Sequence, residues 1–197
     1  MIDAASAFIE QGRIQFFCVD SIDEETWSNE GGNPRERIEL HERWYHYIVD
    51  EFVLRVQEIS TFDNGGKSYD KMMTCGCSMG AFHALNTMLR RPDVFDKVLA
   101  MSGIYHASFF FHEYHDELTY QNSPSDYLAN LKEDHRYMEL YRQSEVILCC
   151  GQGAWEQECE NSLHHMEQIY ADKQIDVWID FWGYDVSHDW YWWKKQI

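Results

Sequence analysis

Apolar residues fall along this chain in two alternating rhythms, one of helical spacing and one of short unbroken runs. Ala5, Phe8 and Ile9 share one helical face, and Gly12 is a natural stop, so the spacing predicts a helix over 2–11. Residues 14–19 then form a nearly continuous apolar run, which predicts a strand buried on both faces. The polar stretch 20–32, with Trp27 its one aromatic, reads as a surface loop. Asn33-Pro34-Arg35-Glu36 carries a cap, a first-turn proline and an early carboxylate, so a helix starts there. Trp44, Ile48, Phe52 and Val56, with Tyr45, Val49 and Val53, make its apolar stripe, and Asn64-Gly65-Gly66 ends it.

The second half repeats the alternation. Residues 72–75, 98–101, 145–150 and 177–182 read as strands, and 81–91 and 161–171 as helices, the first with Phe82, Leu85, Met88 and Leu89 on one face. Regular alternation of this kind predicts an α/β architecture: a mostly parallel sheet in three layers, with helices on both faces. At 197 residues the chain suits one domain, with an aromatic-rich excursion over 106–141 placed where a lid would be built.

Composition removes several function classes. An aromatic share of 16% with only three prolines describes a packed chain. The formal net charge of −18 repels phosphate backbones, which argues against nucleic-acid partners. No apolar run reaches the length of a membrane span, and Met1 leads into Ile2-Asp3-Ala4-Ala5 with no signal-peptide pattern. Five of the six cysteines (18, 75, 77, 149 and 150) lie in or beside apolar runs, and no CxxC spacing occurs. Neither a disulfide framework nor a metal site is predicted, and a cytoplasmic protein with reduced thiols is expected.

One motif carries chemistry. Gly76-Cys77-Ser78-Met79-Gly80 matches G-x-S-x-G between an apolar strand and an amphipathic helix, the setting of a nucleophile elbow. Ser78 is then the candidate nucleophile, and the Met79 N–H, opening the helix, a candidate oxyanion donor. The tight turn accounts for glycine at 76 and 80. A serine needs a base, and in this chain order it follows the last strand, which selects His188 from ten histidines. The third member belongs after the strand ending at 150, where Glu156 stands, with Glu158 nearby and Asp185 as a rival close to His188.

These pieces resemble the putative-esterase branch of the α/β-hydrolase superfamily, which includes esterase D-like and enterochelin-esterase-like enzymes. The resemblance rests on Phe17-Cys18-Val19-Asp20-Ser21, the elbow with Phe82-His83-Ala84, and Arg91-Pro92-Asp93-Val94-Phe95. It continues through Ser102-Gly103-Ile104-Tyr105, Asn122-Ser123-Pro124, Gly151-Gln152-Gly153 and His188-Asp189-Trp190. It implies Ser78 as nucleophile and His188 as base; Glu156 matches an acid position, although residue 154, Asp in some relatives, is Ala here. It also implies strands before the first helix, so that the chain is N-terminally truncated against the family. The absent third strand would lie between 14–19 and 72–75, which then pair directly, receive a second chain, or await upstream sequence.

Two function classes follow. One is a serine hydrolase cleaving carboxylic esters through an acyl-serine intermediate, with a small-molecule ester as substrate and neither cofactor nor metal. The other is a catalytically silent or fragmentary homologue that binds or scaffolds. Self-association to a homo-oligomer is open in both.

Overall fold

Asn33 begins the helical run around which the first part of the chain packs. In the computed structural model, which describes residues 2–69 and 71–197, contacts divide the chain into two compact units. One holds residues up to 69 with 107–119, the other 71–106 with 120–197. The first unit contains a short helix α1 (Ser6–Glu10), then α2 (Pro34–His46), a π-helical segment (Tyr47–Phe52) and α3 (Val53–Asp63). The Asn33 side-chain oxygen accepts from the Arg35 and Glu36 N–H groups at 3.0 and 3.3 Å, so the helix starts where its capping signal stands. Of the predicted stripe, Tyr45, Ile48, Val49, Val53 and Val56 are buried, and Trp44 and Phe52 pack partly buried beside them.

Two expectations for this unit are overturned. Residues 14–19 are irregular, with Ile14, Phe16 and Phe17 half-buried and Gln15, Cys18 and Val19 exposed. An apolar run becomes a strand only where a neighbour takes up its backbone hydrogen bonds, and among the described residues no strand pairs with it. Trp27, expected on a surface loop, is 1% exposed and lies edge-on to His41, Phe110 and Phe111 at centroid distances of 5.0, 5.3 and 5.1 Å. The buried Arg37 guanidinium fixes this loop, donating to the carbonyls of Thr26, Trp27 and Phe110 at 2.6, 2.8 and 3.1 Å.

The second unit carries the sheet. Strands β1 (Met72–Cys77), β2 (Phe95–Met101), β3 (Glu145–Cys150) and β4 (Trp178–Phe181) run parallel in the order β1-β2-β3-β4. Thr74 stands opposite Val98, Leu99 opposite Ile147, and Leu148 opposite Ile179. Helix α4 (Met79–Arg90) links β1 to β2 and packs across both. Every residue from Ala81 to Leu89 in it is buried, beyond the single face its periodicity predicts. Burying Phe82, Leu85, Met88 and Leu89 stabilises the unit by roughly 1.5–3 kcal/mol each. Its buried amide is satisfied: Asn86 Nδ2 donates to Asn122 Oδ1 at 2.8 Å.

The excursion holds α5 (Ser108–Phe111), α6 (Glu117–Gln121), α7 (Pro124–Asn130) and α8 (Met138–Arg142). Residues 107–119 of it belong to the first unit and 120–141 to the second. After β3 comes α9 (Gln157–Asp172), which packs on β3 and β4, and α7 touches both α4 and α9. Helix α10 (Trp190–Gln196) closes the chain, capped by Asp189, whose carboxylate accepts from Tyr191 N–H at 2.8 Å. Among the described residues no helix is long and apolar enough to cross a membrane.

Candidate active site

Ser78 stands between β1 and α4 with φ 56° and ψ −125°, a left-handed conformation that a side-chain-bearing residue adopts only under constraint. The constraint is visible on both sides: its N–H donates to Met101 O at 2.9 Å, and its own carbonyl accepts from Ala81 N–H at 3.0 Å. The turn is closed by Gly76, where a Cβ would lie 2.1 Å from the Gly80 carbonyl oxygen. Gly80 differs: a Cβ there would meet nothing within 4 Å. The expectation that both glycines are sterically required therefore holds for one of them. Met79 opens α4, so its N–H lies in a first turn where a helix has no internal acceptor for it.

His188 lies between β4 and α10, with Nε2 2.8 Å from Ser78 Oγ. Its other ring nitrogen, Nδ1, is 3.5 Å from Glu156 Oε1. Glu156 directly precedes the first residue of α9, makes no side-chain capping bond there, and is fully buried. The loops bearing Glu156 and His188 can meet because of glycine. At Gly151 a Cβ would sit 2.1 Å from Val186 O, and at Gly153 one would sit 2.7 Å from the same atom. Across this contact Gly153 N–H donates to Val186 O at 2.9 Å and His188 N–H to Ala154 O at 3.0 Å. Ser78, His188 and Glu156, 110 and 32 residues apart in sequence, thus face one another in order. The rivals do not join them: Glu158 and Asp185 are exposed, and Asp185 folds over Gly183 in the turn before His188. Of the other histidines in this unit, His83 is buried within α4 and His164 stacks on Phe181 at 4.3 Å.

Two neighbours were not legible as site residues. Ser102, just past β2, is 1% exposed with φ 55°, and its Oγ donates to Glu156 Oε1 at 2.7 Å. The same hydroxyl accepts from Trp193 Nε1 at 3.0 Å, tying α10 to the carboxylate, while the Trp193 ring stands edge-on to His188 at 4.8 Å. The second carboxylate oxygen, Oε2, is buried and has no hydrogen-bond partner among the described residues. Cys159, three residues after Glu156, donates to Ser102 O at 3.2 Å and lies 3.9 Å from His188 Nδ1. Burial pushes its thiol well above the ordinary range, with the Glu156 charge adding to the effect. Burial likewise pushes Cys75 and Cys149 up to about 12 and Cys77 up to about 11. The apolar setting read for these cysteines fits unreactive thiols.

A parallel sheet with a strained serine on a strand–turn–helix elbow, and a histidine after the last strand, is the arrangement of an α/β-hydrolase fold. Within that class the chain belongs to the Putative esterase family, whose profile matches residues 18–197. Among solved structures it is similar to a ferulic acid esterase, with 19% identity, a TM-score of 0.56, and coverage of 76% of this chain and 55% of that one. It is also similar to an S-formylglutathione hydrolase from Agrobacterium tumefaciens, with 14% identity, a TM-score of 0.54, and coverage of 77% and 52%. At these identities the likeness shows the fold. The chain spans about half the length of both proteins. No curated protein sequence matches it.

Proposed function

We propose that this chain is a serine hydrolase that cleaves carboxylic esters through an acyl-Ser78 intermediate. The observation that carries the reading is the 2.8 Å approach of His188 Nε2 to the hydroxyl of a serine held at positive φ. A strained serine pointed at an imidazole is the placement that an activated nucleophile requires.

In the acylation half, Ser78 Oγ attacks the ester carbonyl carbon as its proton passes to His188 Nε2. The oxygen that gains charge lies toward the Met79 N–H. Collapse of the tetrahedral species breaks the bond to the alcohol, which leaves with the proton from Nε2. Water then repeats the sequence on the acyl group, releasing the acid and restoring the serine. Glu156 accepts from Nδ1–H, keeps Nε2 free as the acceptor, and stabilises the imidazolium. The 3.5 Å separation is longer than a hydrogen bond, and catalysis requires it to shorten as charge develops on the imidazole. Ser102 holds Glu156 in position.

The test is hydrolysis of p-nitrophenyl esters of graded acyl length. Turnover that disappears in Ser78→Ala while the fold persists supports the reading. Wild-type protein that is folded yet silent across the panel and unreactive to a fluorophosphonate favours a homologue that has kept the elbow as architecture.

A further inference from the structure

The buried side of His188 holds, beside the carboxylate that orients it, a thiol that the ester reaction does not need. Glu156 and Cys159 stand three residues apart at the start of α9, which places both on one side of the helix, and both are buried. With His188 they offer a carboxylate oxygen, a sulfur and an imidazole nitrogen, all within 4.8 Å of one another. Glu156 Oε2 is buried there without a hydrogen-bond partner among the described residues. The separations have meaning. Tetrahedral zinc with bonds of about 2.3 Å to sulfur and about 2.05 Å to nitrogen and oxygen spaces those ligands about 3.6 Å (S to N) and about 3.4 Å (O to N) apart. Cys159 Sγ and Glu156 Oε1 lie 3.9 and 3.5 Å from His188 Nδ1. These two separations exceed the tetrahedral values by only about 0.3 and about 0.1 Å, and the third, sulfur to carboxylate oxygen, lies within 4.8 Å.

We infer that Glu156, Cys159 and Nδ1 of His188 form a binding site for a thiophilic divalent cation, Zn²⁺ or Cd²⁺, whose occupation silences Ser78. The sulfur ligand and the close tetrahedral spacing select these ions over Mg²⁺ and Ca²⁺, which take oxygen ligands in larger coordination shells. Binding breaks the Cys159 S–H bond, releases one proton to solvent and forms the metal–sulfur bond; nothing is oxidised or reduced. The Nδ1 lone pair goes to the metal, so the proton of the neutral ring resides on Nε2. That nitrogen then donates toward Ser78 Oγ and no longer accepts its proton. The binding depends only on the three ligands. The silencing rests on the reading of His188 as base.

Two measurements separate these parts, each in a Cys18→Ser background that removes the exposed thiol. In the first, Cd²⁺ is titrated and the ultraviolet cadmium–thiolate charge-transfer band is followed. One equivalent per chain is expected to develop the band, and Cys159→Ser, which keeps a donor toward the Ser102 carbonyl, is expected to abolish it and weaken binding by at least about tenfold. Cys159→Ala is the second variant if the serine form misfolds. In the second, fluorophosphonate labelling is measured with and without Zn²⁺. Wild-type labelling is expected to fall with Zn²⁺ and not with Mg²⁺, while Cys159→Ser, measured against its own metal-free rate, needs at least about tenfold more Zn²⁺ for the same fractional loss. No band in the parent, or an equal response in parent and variant, overturns the site. If the parent fails to label even without metal, the ester reading falls, and the cadmium band still decides the site.

Discussion

Exchanging the two elbow glycines for alanine separates the elbow's real contact from its sequence pattern. At Gly76 an added Cβ would lie 2.1 Å from Gly80 O, 2.3 Å from Gly80 C and 2.9 Å from Ala81 N. All three are backbone atoms of the turn and α4, so no side chain can swing aside, and β1 and α4 must separate by about 1 Å. Overpacking of this kind costs about 1–3 kcal/mol or more, and for a chain of this size each kcal/mol lowers Tm by roughly 2–4 °C. Gly76→Ala is therefore expected to lose on the order of 5–10 °C. A displacement of about 1 Å between Ser78 and His188 also slows the chemistry roughly a hundredfold. Gly80→Ala meets open space within a helix. It is expected to be neutral or to stabilise by up to about 1 kcal/mol, through the lower chain entropy and better helix propensity of alanine. Thermal melts and fluorophosphonate labelling rates of both variants give the comparison. A Gly80→Ala protein as damaged as Gly76→Ala, or a Gly76→Ala protein with wild-type melting and labelling, would refute the packing argument.

The acid is tested by comparing Glu156→Gln with Asp185→Asn: the first is expected to lose about three to four orders of magnitude in kcat/KM by analogy with triad enzymes, the second far less, and the reverse ranking transfers the role. Ser102→Ala removes the donor to Glu156 Oε1 and strands the Trp193 indole N–H. It is expected to lower stability by about 2–4 kcal/mol in denaturant titration, and a loss below about 0.5 kcal/mol would contradict the hydrogen-bond network. Thiol labelling at pH 8 is expected to modify the exposed Cys18 and spare the rest. A thiol pushed up to about 12, as at Cys75 and Cys149, is only about one part in ten thousand thiolate at that pH. Its labelling therefore rises with pH, while rapid modification of the five thiols other than Cys18 at pH 8 would contradict this expectation.

Much of the second unit was legible because its elements carry their own signals. Residues 145–150 are a buried central run and form β3 over those same residues, and the run at 72–75 forms β1, extended to Cys77. Ser78 and His188 were legible because G-x-S-x-G and chain order translate directly into positions above a parallel sheet. Residues 14–19 misled because apolarity states a wish for burial, not a pairing partner. Trp27 misled in the opposite sense: its neighbours in sequence are polar, and its burial comes from Phe110 and Phe111, more than eighty positions away. Ser102 opens one of the stretches that carry the family resemblance, but nothing in that stretch marked its role. Its role depends on a backbone turn that aims one hydroxyl at both Glu156 and Trp193, which are 54 and 91 residues distant. Cys159 had one readable hint, its three-residue spacing from Glu156, but that spacing acquires meaning only once His188 is brought in from another loop.

Peptide mass spectrometry after fluorophosphonate treatment tests the central claim most directly, because it asks which atom is the nucleophile. The account predicts a single adduct on Ser78, absent in Ser78→Ala and slowed by several orders of magnitude in His188→Ala, with both variants melting like folded protein. An adduct on any other residue, or undiminished labelling in either variant, would contradict it.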